Sequence, residues 1–250
     1  MIEFRSVQKT FTGPNGESIH AVRDLDLTIE AGEVHCLIGT SGCGKTTTLR
    51  LINRLEEPTA GEVRVGGKDA AELDVIQLRR SVGYVIQSGG LFPHWTVKRN
   101  IGVLCELEGW DRDRQEGRVA DLGEVVGLPI GQFGDRYPAE LSGGQRQRVG
   151  VARALALDPD YLLMDEPFGA LDPITRSQIH REFQALFRSV GKTVVLVTHD
   201  LNEAFLLSDR ISVMDRGEVV QTGSADELRS KPANEFIAEF VRNQTPEALR

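Results

Sequence analysis

Apolar and polar residues alternate in the first part of the chain, and this pattern predicts strands. Residues 2–7 alternate weakly, and residues 25–29 carry Leu, Leu and Ile at every second position, as in a half-buried strand. Gly and Pro within 12–16 predict a turn between the two. The run Val34-His35-Cys36-Leu37-Ile38 predicts a buried strand, and the pattern after it predicts a helix over 46–53.

The middle of the chain changes from strands to helices. A turn at 58–61 precedes a short predicted strand at 62–65. A helix over 75–82 is predicted to run into a strand at 83–86. Strand signals then disappear from residue 91 to about 157, so this region is predicted to be a helical insertion.

Within that insertion, Thr96 is the predicted N-cap of a helix that carries Val97 and Ile101. The aromatic loop at 91–95 either forms a small core of its own or contacts a partner. A second predicted helical face consists of Val119, Leu122, Val125 and Val126. A third, on a helix that opens at 141–145, consists of Val149, Ala152 and Leu155.

The last third of the chain returns to alternating strands and helices, which predicts an α/β fold. Apolar or β-branched runs at 161–164 and 193–198 predict strands. Asp172 and Pro173 fit the N-cap and first position of a helix that Gly191 ends. The remaining predicted elements are a hairpin around Arg216 and Gly217 and a short helical tail.

Size and composition narrow the class of protein. The chain has 250 residues, 40% of them hydrophobic, enough for a large core in one or two domains. A net charge of −8 argues against a nucleic-acid partner. The three cysteines show no C-x-x-C spacing, so neither a disulfide framework nor a zinc site is predicted, and free thiols fit a reducing cytosol. No apolar run approaches the ~18 residues of a membrane span, and the N-terminus has no apolar signal core.

A glycine-rich stretch between a predicted strand and a predicted helix fits the phosphate-binding pattern G-x-x-x-x-G-K-[ST]. Its glycines let the backbone wrap around an anion, and its N–H groups and the helix N-terminus attract phosphate. Lys45 would reach the β- and γ-phosphates, and the Thr46 hydroxyl would hold Mg²⁺. The predicted nucleotide-binding residues are Gly39, Thr40, Ser41, Gly42, Cys43, Gly44, Lys45, Thr46 and Thr47.

Cys43 lies in this stretch beside Lys45 and a helix N-terminus, both of which lower the pKa of a thiol. We therefore predict that a maleimide reacts with it and that MgATP protects it. The alternative is a small residue that packing shields from reagents.

Polar residues at predicted strand ends are further candidates, since open α/β sheets place ligands there. Asp165 suits a Mg²⁺ site, and Glu166 suits a general base acting on an attacking water. Gln87 either meets Mg²⁺ or that water, or is a solvated loop residue. His199 is either structural or a partner of a γ-phosphate. Phe11 is either a base-stacking aromatic or an ordinary core residue.

The helix predicted to open at 141–145 offers backbone N–H groups that can face an anion. Its opening residues are Ser142, Gly143, Gly144 and Gln145. Three cations on the same helix are interpreted as a solvated face: Arg146, Arg148 and Arg153.

Taken together, these motifs resemble the ATP-binding-cassette (ABC) ATPases from about Ile2 to about Leu228. Beyond the phosphate loop, the matching residues in chain order are Gln87, the stretch 141–145, Asp165-Glu166, Gly169-Ala170-Leu171-Asp172 and His199. The resemblance implies a P-loop NTPase fold with a mostly parallel core sheet, an N-terminal antiparallel β subdomain and a helical subdomain. The expected boundaries are a core at 1–88 and 158–228, a helical subdomain at 89–157 and a helical tail at 229–250.

The resemblance also implies that two copies of the chain sandwich two ATP molecules with Mg²⁺. Phe11 would stack on adenine, and Ser142, Gly143 and Gly144 of one copy would cap the γ-phosphate held by the other. Gln145 and Asp172 belong to the same nucleotide-facing motifs. Lys45, Glu166, His199 and Gln87 would form the catalytic group, with Thr46, Gln87 and Asp165 on the metal. Gln87 would also couple Mg²⁺ to a membrane partner.

A narrower resemblance is to importer ATPases for quaternary amines such as glycine betaine, carnitine and choline. It is carried by the stretches 52–61, 83–87, 91–94 and 165–176. It implies a chain bound to permease subunits at the cytoplasmic face of the membrane and served by a substrate-binding protein. Thr40 departs from the Pro usual in this group, and many relatives continue beyond the equivalent of Arg250 into a regulatory domain. The alternatives are the ATPase of a nitrate, sulfonate or amino-acid importer, or a soluble cassette protein without a transport role.

Overall fold

The computed structural model describes residues 1–87, 90–169 and 171–244. Ala170 and the end of the predicted tail, residues 245–250, lie outside the described residues. The elements in chain order are β1 (Ile2–Thr12), β2 (Ser18–Ile29), β3 (Val34–Gly39), α1 (Lys45–Ile52), β4 (Ala60–Val65), β5 (Lys68–Asp69), α2 (Val75–Arg80), β6 (Val82–Val85), α3 (Val97–Leu107), α4 (Arg112–Val125), α5 (Ile130–Phe133), α6 (Gly143–Ala154), β7 (Tyr161–Asp165), α7 (Pro173–Val190), β8 (Thr193–Thr198), α8 (Leu201–Leu207), β9 (Arg210–Asp215), β10 (Glu218–Gly223), α9 (Ala225–Ser230) and α10 (Glu235–Gln244). A 3₁₀ turn, Pro138–Glu140, precedes α6.

Two compact units make up the chain. The first consists of residues 1–79 and 192–250, and the second of residues 80–191. The core and helical boundaries predicted from the sequence remain a prediction, whereas the α/β class is confirmed by the sheets and helices described below.

The first unit holds an antiparallel sheet with the strand order β2-β1-β4-β5. Its apolar alternation buries one face, as predicted, with Leu25 and Ile29 of β2 at 1% and 0% exposure. The predicted turn at 12–16 falls between β1 and β2. The pairing of these two strands slips on both sides of Lys9, so the end of β1 is irregular.

The first unit also holds the strands β10-β9-β3-β8 side by side. β3 runs parallel to both β8 and β9, and all of its residues are buried, His35 included, as the sequence predicts. β9 and β10 form the predicted antiparallel hairpin. Its turn places Arg216 at φ 47° and Gly217 at φ 89°, a left-handed turn that Gly adopts without strain.

The second unit combines a parallel strand pair, β6 and β7, with helices. Among the described residues between 90 and 157 there is no strand, which confirms the predicted helical region. α3 packs against α4 and α6, and its Ile101 is fully buried. α7 begins at Pro173, as predicted, and its Phe183 packs edge-on against Phe168 with 5.0 Å between ring centroids.

Two details of the sequence interpretation are corrected. Val82 begins β6 rather than ending the preceding helix, because α2 stops at Arg80. Val125 is 46% exposed, because six steps of about 100° place it about 120° around α4 from the buried Val119. Thr96 is the N-cap of α3, as predicted, although its side chain makes no capping hydrogen bond. None of the helices in the described part of the chain is long and apolar enough to cross a membrane.

Candidate nucleotide-binding site

The phosphate loop joins the buried end of β3 to the first turn of α1 in the first unit. Gly44 is the N-cap of α1 at φ 107°, and its carbonyl accepts a 2.8 Å hydrogen bond from the Thr48 N–H. A Cβ at Gly44 would lie 2.3 Å from the Ala21 carbonyl oxygen, and one at Gly39 would lie 2.1 Å from the Met214 carbonyl oxygen. These positions accept only glycine, because neighbouring backbone occupies the space of a side chain.

Lys45 is 6% exposed, and its ammonium lies against its own loop. Nζ donates to the carbonyls of Gly39 and Thr40, both at 2.9 Å, and its distance to Cys43 Sγ is 3.6 Å. An ammonium has three N–H donors, and a thiol is a weak acceptor. One donor can therefore turn to a phosphate while the two carbonyl bonds persist.

The rest of the loop presents its rim to solvent. Thr40, Ser41 and Gly42 are exposed, and Thr46 and Thr47 are half-buried. Exposed backbone with a buried lysine beneath it is the arrangement that an anion-binding loop requires.

The two cysteines of this region are shielded. Cys43 is 2% exposed and Cys36 is fully buried. This burial favours the shielded alternative for Cys43 over a freely reactive thiol. Burial raises the pKa of Cys36 well above its usual value, and the charge of Glu203 acts in the same direction. The Cys36 thiol is therefore inert in the folded protein.

Phe11 and His199 complete the predicted site residues of the first unit. Phe11 is half-buried near the end of β1, with Lys9 Nζ 4.7 Å from its ring centroid. His199 follows β8 directly and is exposed, whereas Thr198 before it is 2% exposed. Neither ring belongs to the apolar core, so both remain reachable by a ligand.

The carboxylates lie together in the second unit. Asp165 ends β7 at 6% exposure, and Tyr84 donates its hydroxyl to Asp165 Oδ2 across 3.5 Å. Gln87 Nε2 donates to Glu166 Oε2 at 3.3 Å. Glu166 has φ 44°, a left-handed conformation that costs a non-glycine residue ~1–2 kcal/mol. The structure thus joins Gln87, Asp165 and Glu166 and adds Tyr84.

Sequence reasoning did not identify Tyr84. Its pairing with Leu163 sets the register of β6 on β7 and thereby aligns its hydroxyl with Asp165. That register is a property of two strands that lie far apart in the chain. Nothing in the local pattern around Tyr84 signals it.

The start of α6 is an N-terminal capping box. Ser142 Oγ accepts from the Gln145 N–H at 3.2 Å, and Gln145 Oε1 accepts from the Ser142 N–H at 2.9 Å. A Cβ at Gly143 would lie 2.8 Å from Leu171 Cδ2, which explains a small residue there. Gln145 therefore shapes the turn that presents Ser142, Gly143 and Gly144.

The neighbouring cations and Asp172 make local contacts. The Asp172 carbonyl accepts from the Arg176 N–H at 2.9 Å at the start of α7. The cations of α6 are not simply solvated, because each donates a side-chain hydrogen bond within the unit. The acceptors are the Leu141 carbonyl for Arg146, the Glu182 carboxylate for Arg148 and the Gly90 carbonyl for Arg153. Burial lowers the pKa of Arg153.

The donor set for a metal is also informative. Thr46, Gln87 and Asp165 supply a hydroxyl, an amide oxygen and one carboxylate, which are oxygen ligands of the kind that Mg²⁺ prefers. Across residues 1–87, 90–169 and 171–244 no three His, Cys, Asp or Glu side chains cluster as a metal cage. Mg²⁺ characteristically binds through one or two carboxylates plus substrate phosphates, so the chemistry of each of these side chains suits an ion that arrives with a nucleotide.

Comparison with known proteins identifies the family. The ABC transporter family model matches residues 22–169. The chain belongs to the ABC transporter family. The osmoprotectant import ATP-binding protein OsmV of Salmonella typhimurium is 48% identical over 96% of the chain and 63% of its own length. The carnitine transport ATP-binding protein OpuCA of Listeria monocytogenes is 50% identical over 96% of the chain and 59% of its own length.

A third relative is matched over more of its length. The glycine betaine uptake system ATP-binding protein YehX of Escherichia coli is 50% identical over 96% of the chain and 76% of its own length. The chain thus spans about three-fifths of OsmV and OpuCA and three-quarters of YehX.

Solved structures agree on the fold. The ATP-binding cassette MJ0796, in a dimeric post-hydrolysis state bound to ADP and Pi, superposes with a TM-score of 0.78 at 34% identity, over 90% of this chain and 98% of that one. The cbiO1 protein of Clostridium perfringens, part of the ABC transporter complex cbiONQ, gives a TM-score of 0.82 at 26% identity, over 92% of this chain and 90% of that one. The fold class expected from the sequence, an ABC-type P-loop ATPase, is confirmed.

Proposed function

We propose that this chain is the ATP-binding and ATP-hydrolysing subunit of a bacterial ABC importer for quaternary-amine osmoprotectants such as glycine betaine, carnitine or choline. The observation that carries the ATPase proposal is the phosphate loop with the buried, loop-bonded Lys45. The cargo proposal is supported by the osmoprotectant, carnitine and glycine betaine names of three relatives at 48–50% identity.

In the proposed reaction, water attacks the γ-phosphorus of ATP in line. The bond from the γ-phosphorus to the β–γ bridging oxygen breaks, and ADP leaves with that oxygen. The loop N–H groups bind the phosphates, and Lys45 turns its third N–H to the β- and γ-phosphates. Glu166 accepts the proton of the attacking water. A hydrogen bond from Gln87 orients the Glu166 carboxylate. His199 holds the γ-phosphate, and Phe11 stacks on adenine.

Mg²⁺ would be held by Thr46, Gln87 and Asp165, and it neutralises phosphate charge when bound. The Tyr84 hydroxyl donates to one Asp165 oxygen, which orients the carboxylate. Removing that hydroxyl should loosen the carboxylate without removing it.

We further propose that two copies of the chain enclose two nucleotides. The loop residues would contact a bound phosphate from one side, and the exposed Ser142 at the start of α6 is available to a second copy. Gly143 and Gly144 would add N–H donors to the γ-phosphate, with the Gln145 cap and Asp172 shaping the same surface. The dimeric cassette MJ0796 supports this arrangement by likeness.

The proposed partners beyond the second copy are permease subunits and, indirectly, a substrate-binding protein, with the chain at the cytoplasmic face of the membrane. The loop at 91–95 is the proposed permease contact, since Phe92 keeps 39% exposure although its ring lies 4.2 Å from that of Trp95. The core, helical and tail boundaries given above remain part of this proposal.

Uptake by the assembled importer tests the cargo. The full chain and its permease, reconstituted with the binding protein in vesicles that contain MgATP, should accumulate radiolabelled glycine betaine, carnitine or choline. The Lys45→Met variant should accumulate none. Uptake of nitrate, a sulfonate or an amino acid instead would overturn the proposed cargo but not the proposed ATPase activity. ATP hydrolysis by the reconstituted assembly with uptake of none of these solutes would support the non-transport alternative.

A further inference from the structure

The half-buried Phe11 has a cation over one face of its ring. Lys9 and Phe11 lie two positions apart on β1 and so share a face of the strand. Lys9 Nζ is 4.7 Å from the Phe11 ring centroid, within the range of a cation–π attraction. One ring face is therefore occupied by an ammonium before any ligand binds.

The Lys9 ammonium is fixed in this position by the segment that follows α1. Nζ lies 3.1 Å from Glu56 Oε2 and donates to the Glu57 carbonyl at 2.9 Å. The Lys9 side chain is only 15% exposed. Moving the ammonium off the ring would break both contacts, so the contacts hold the cation and the ring together.

The backbone around Lys9 links this ring to the phosphate loop. Lys9 pairs with Val22 and Thr10 pairs with His20, which leaves Ala21 as an extra residue on β2. A bulge of this kind re-aims the neighbouring groups. The Ala21 carbonyl is the group that excludes any side chain at Gly44. The same irregularity therefore shapes the ring's surroundings and the phosphate loop.

We propose that Lys9 is a positioning residue for the nucleobase. Its ammonium restrains the Phe11 ring and leaves the opposite face for the base. A cation on one face also draws π density toward itself, which makes the other face a better partner for an electron-rich purine. This inference rests on the proposed function, and it assigns to Lys9 a role in binding adenine rather than in the chemical step.

Steady-state hydrolysis of MgATP by the full chain tests the proposal. Lys9→Met removes the charge and keeps the aliphatic stem, and it should raise KM for MgATP about 2- to 5-fold with kcat unchanged. Lys9→Arg keeps a cation that stacks on aromatic rings and should restore the wild-type KM. Lys68→Met is the matched control, since Lys68 is an exposed lysine of the same sheet, and it should change neither constant.

Combining Lys9→Met with Phe11→Leu tests whether Lys9 affects KM through the Phe11 ring. Phe11→Leu should raise KM about tenfold or more by removing the stacking surface, and Lys9→Met should then add nothing. An unchanged KM in Lys9→Met would overturn the positioning role. So would a rise in KM on adding Lys9→Met to Phe11→Leu that equals its rise in the wild-type background. In either case, ATP turnover by the wild type leaves the proposed function standing. Wild-type protein that releases no phosphate would instead overturn the proposed function.

Circular dichroism checks that each variant folds. If Lys9→Met does not fold, Glu56→Gln decides the question, because it removes the charged tether and leaves Lys9 and the Glu57 carbonyl in place. A rise in KM at constant kcat supports the proposal, and an unchanged KM refutes it.

Discussion

Replacing Gly44 with alanine tests the geometry of the phosphate loop. The added Cβ would lie 2.3 Å from the Ala21 carbonyl oxygen, and φ 107° is a conformation that L-residues rarely adopt. The backbone strain costs ~1–3 kcal/mol. Relief of the overlap requires β2 or the loop to move, at a further ~1–3 kcal/mol. Gly44→Ala should therefore lower the free energy of unfolding by ~2–6 kcal/mol.

Gly16→Ala is the matched control for this substitution. Gly16 has φ 82° in the turn before β2, and a Cβ there meets nothing within 4 Å. It carries the strain without the overlap and should cost ~1–2 kcal/mol. Urea unfolding followed by circular dichroism measures both variants. Equal losses for the two would refute the close approach of Ala21 to the loop. Gly44→Ala should also bind ATP weakly, whereas Gly16→Ala should bind it normally.

Three other substitutions test separate parts of the account. Lys45→Met should abolish phosphate release while leaving the far-ultraviolet circular dichroism spectrum unchanged. Near-normal turnover would show that the phosphate loop does not act in hydrolysis. Asn100→Leu should lower the free energy of unfolding by ~2–4 kcal/mol in urea, because the fully buried Asn100 side chain accepts from the Phe92 N–H at 2.8 Å and donates to the Trp95 carbonyl at 3.0 Å; a loss no larger than that of an exposed-site variant would contradict this. Ser142→Arg should prevent the ATP-dependent dimer from forming, as measured by light scattering. Dimers of normal stability would show that Ser142 does not face the nucleotide of the second copy.

The features predictable from the sequence are those that neighbouring residues specify. The run at 34–38 is apolar except for His35, so a strand buried on both faces follows, and the glycine spacing after it defines the loop. Arg216-Gly217 likewise specifies a tight turn. Val125 and Val126 are consecutive apolar residues, and the sequence alone does not show which of the two side chains is buried. The answer depends on where α4 ends, and it ends at Val125.

The contacts that were not predictable join residues far apart in the chain. Tyr84 reaches Asp165 only through the register of β6 on β7, and Lys9 reaches Glu56 only because β1 passes the end of α1. Asn100 shows no distinctive pattern, although its amide fixes the whole aromatic loop. Each depends on tertiary geometry that no local period encodes.

Phosphate release from MgATP by the purified full chain, compared with Glu166→Gln, tests the central claim most directly. The amide keeps the shape of the side chain but cannot accept the proton of the attacking water. The account predicts turnover in the wild type, none in Glu166→Gln, and an ATP-bound dimer of the variant that outlasts the wild-type dimer and disappears with ADP. Normal phosphate release by Glu166→Gln would contradict the assignment of Glu166 as the general base, and absent release by the wild type would contradict the proposed ATPase.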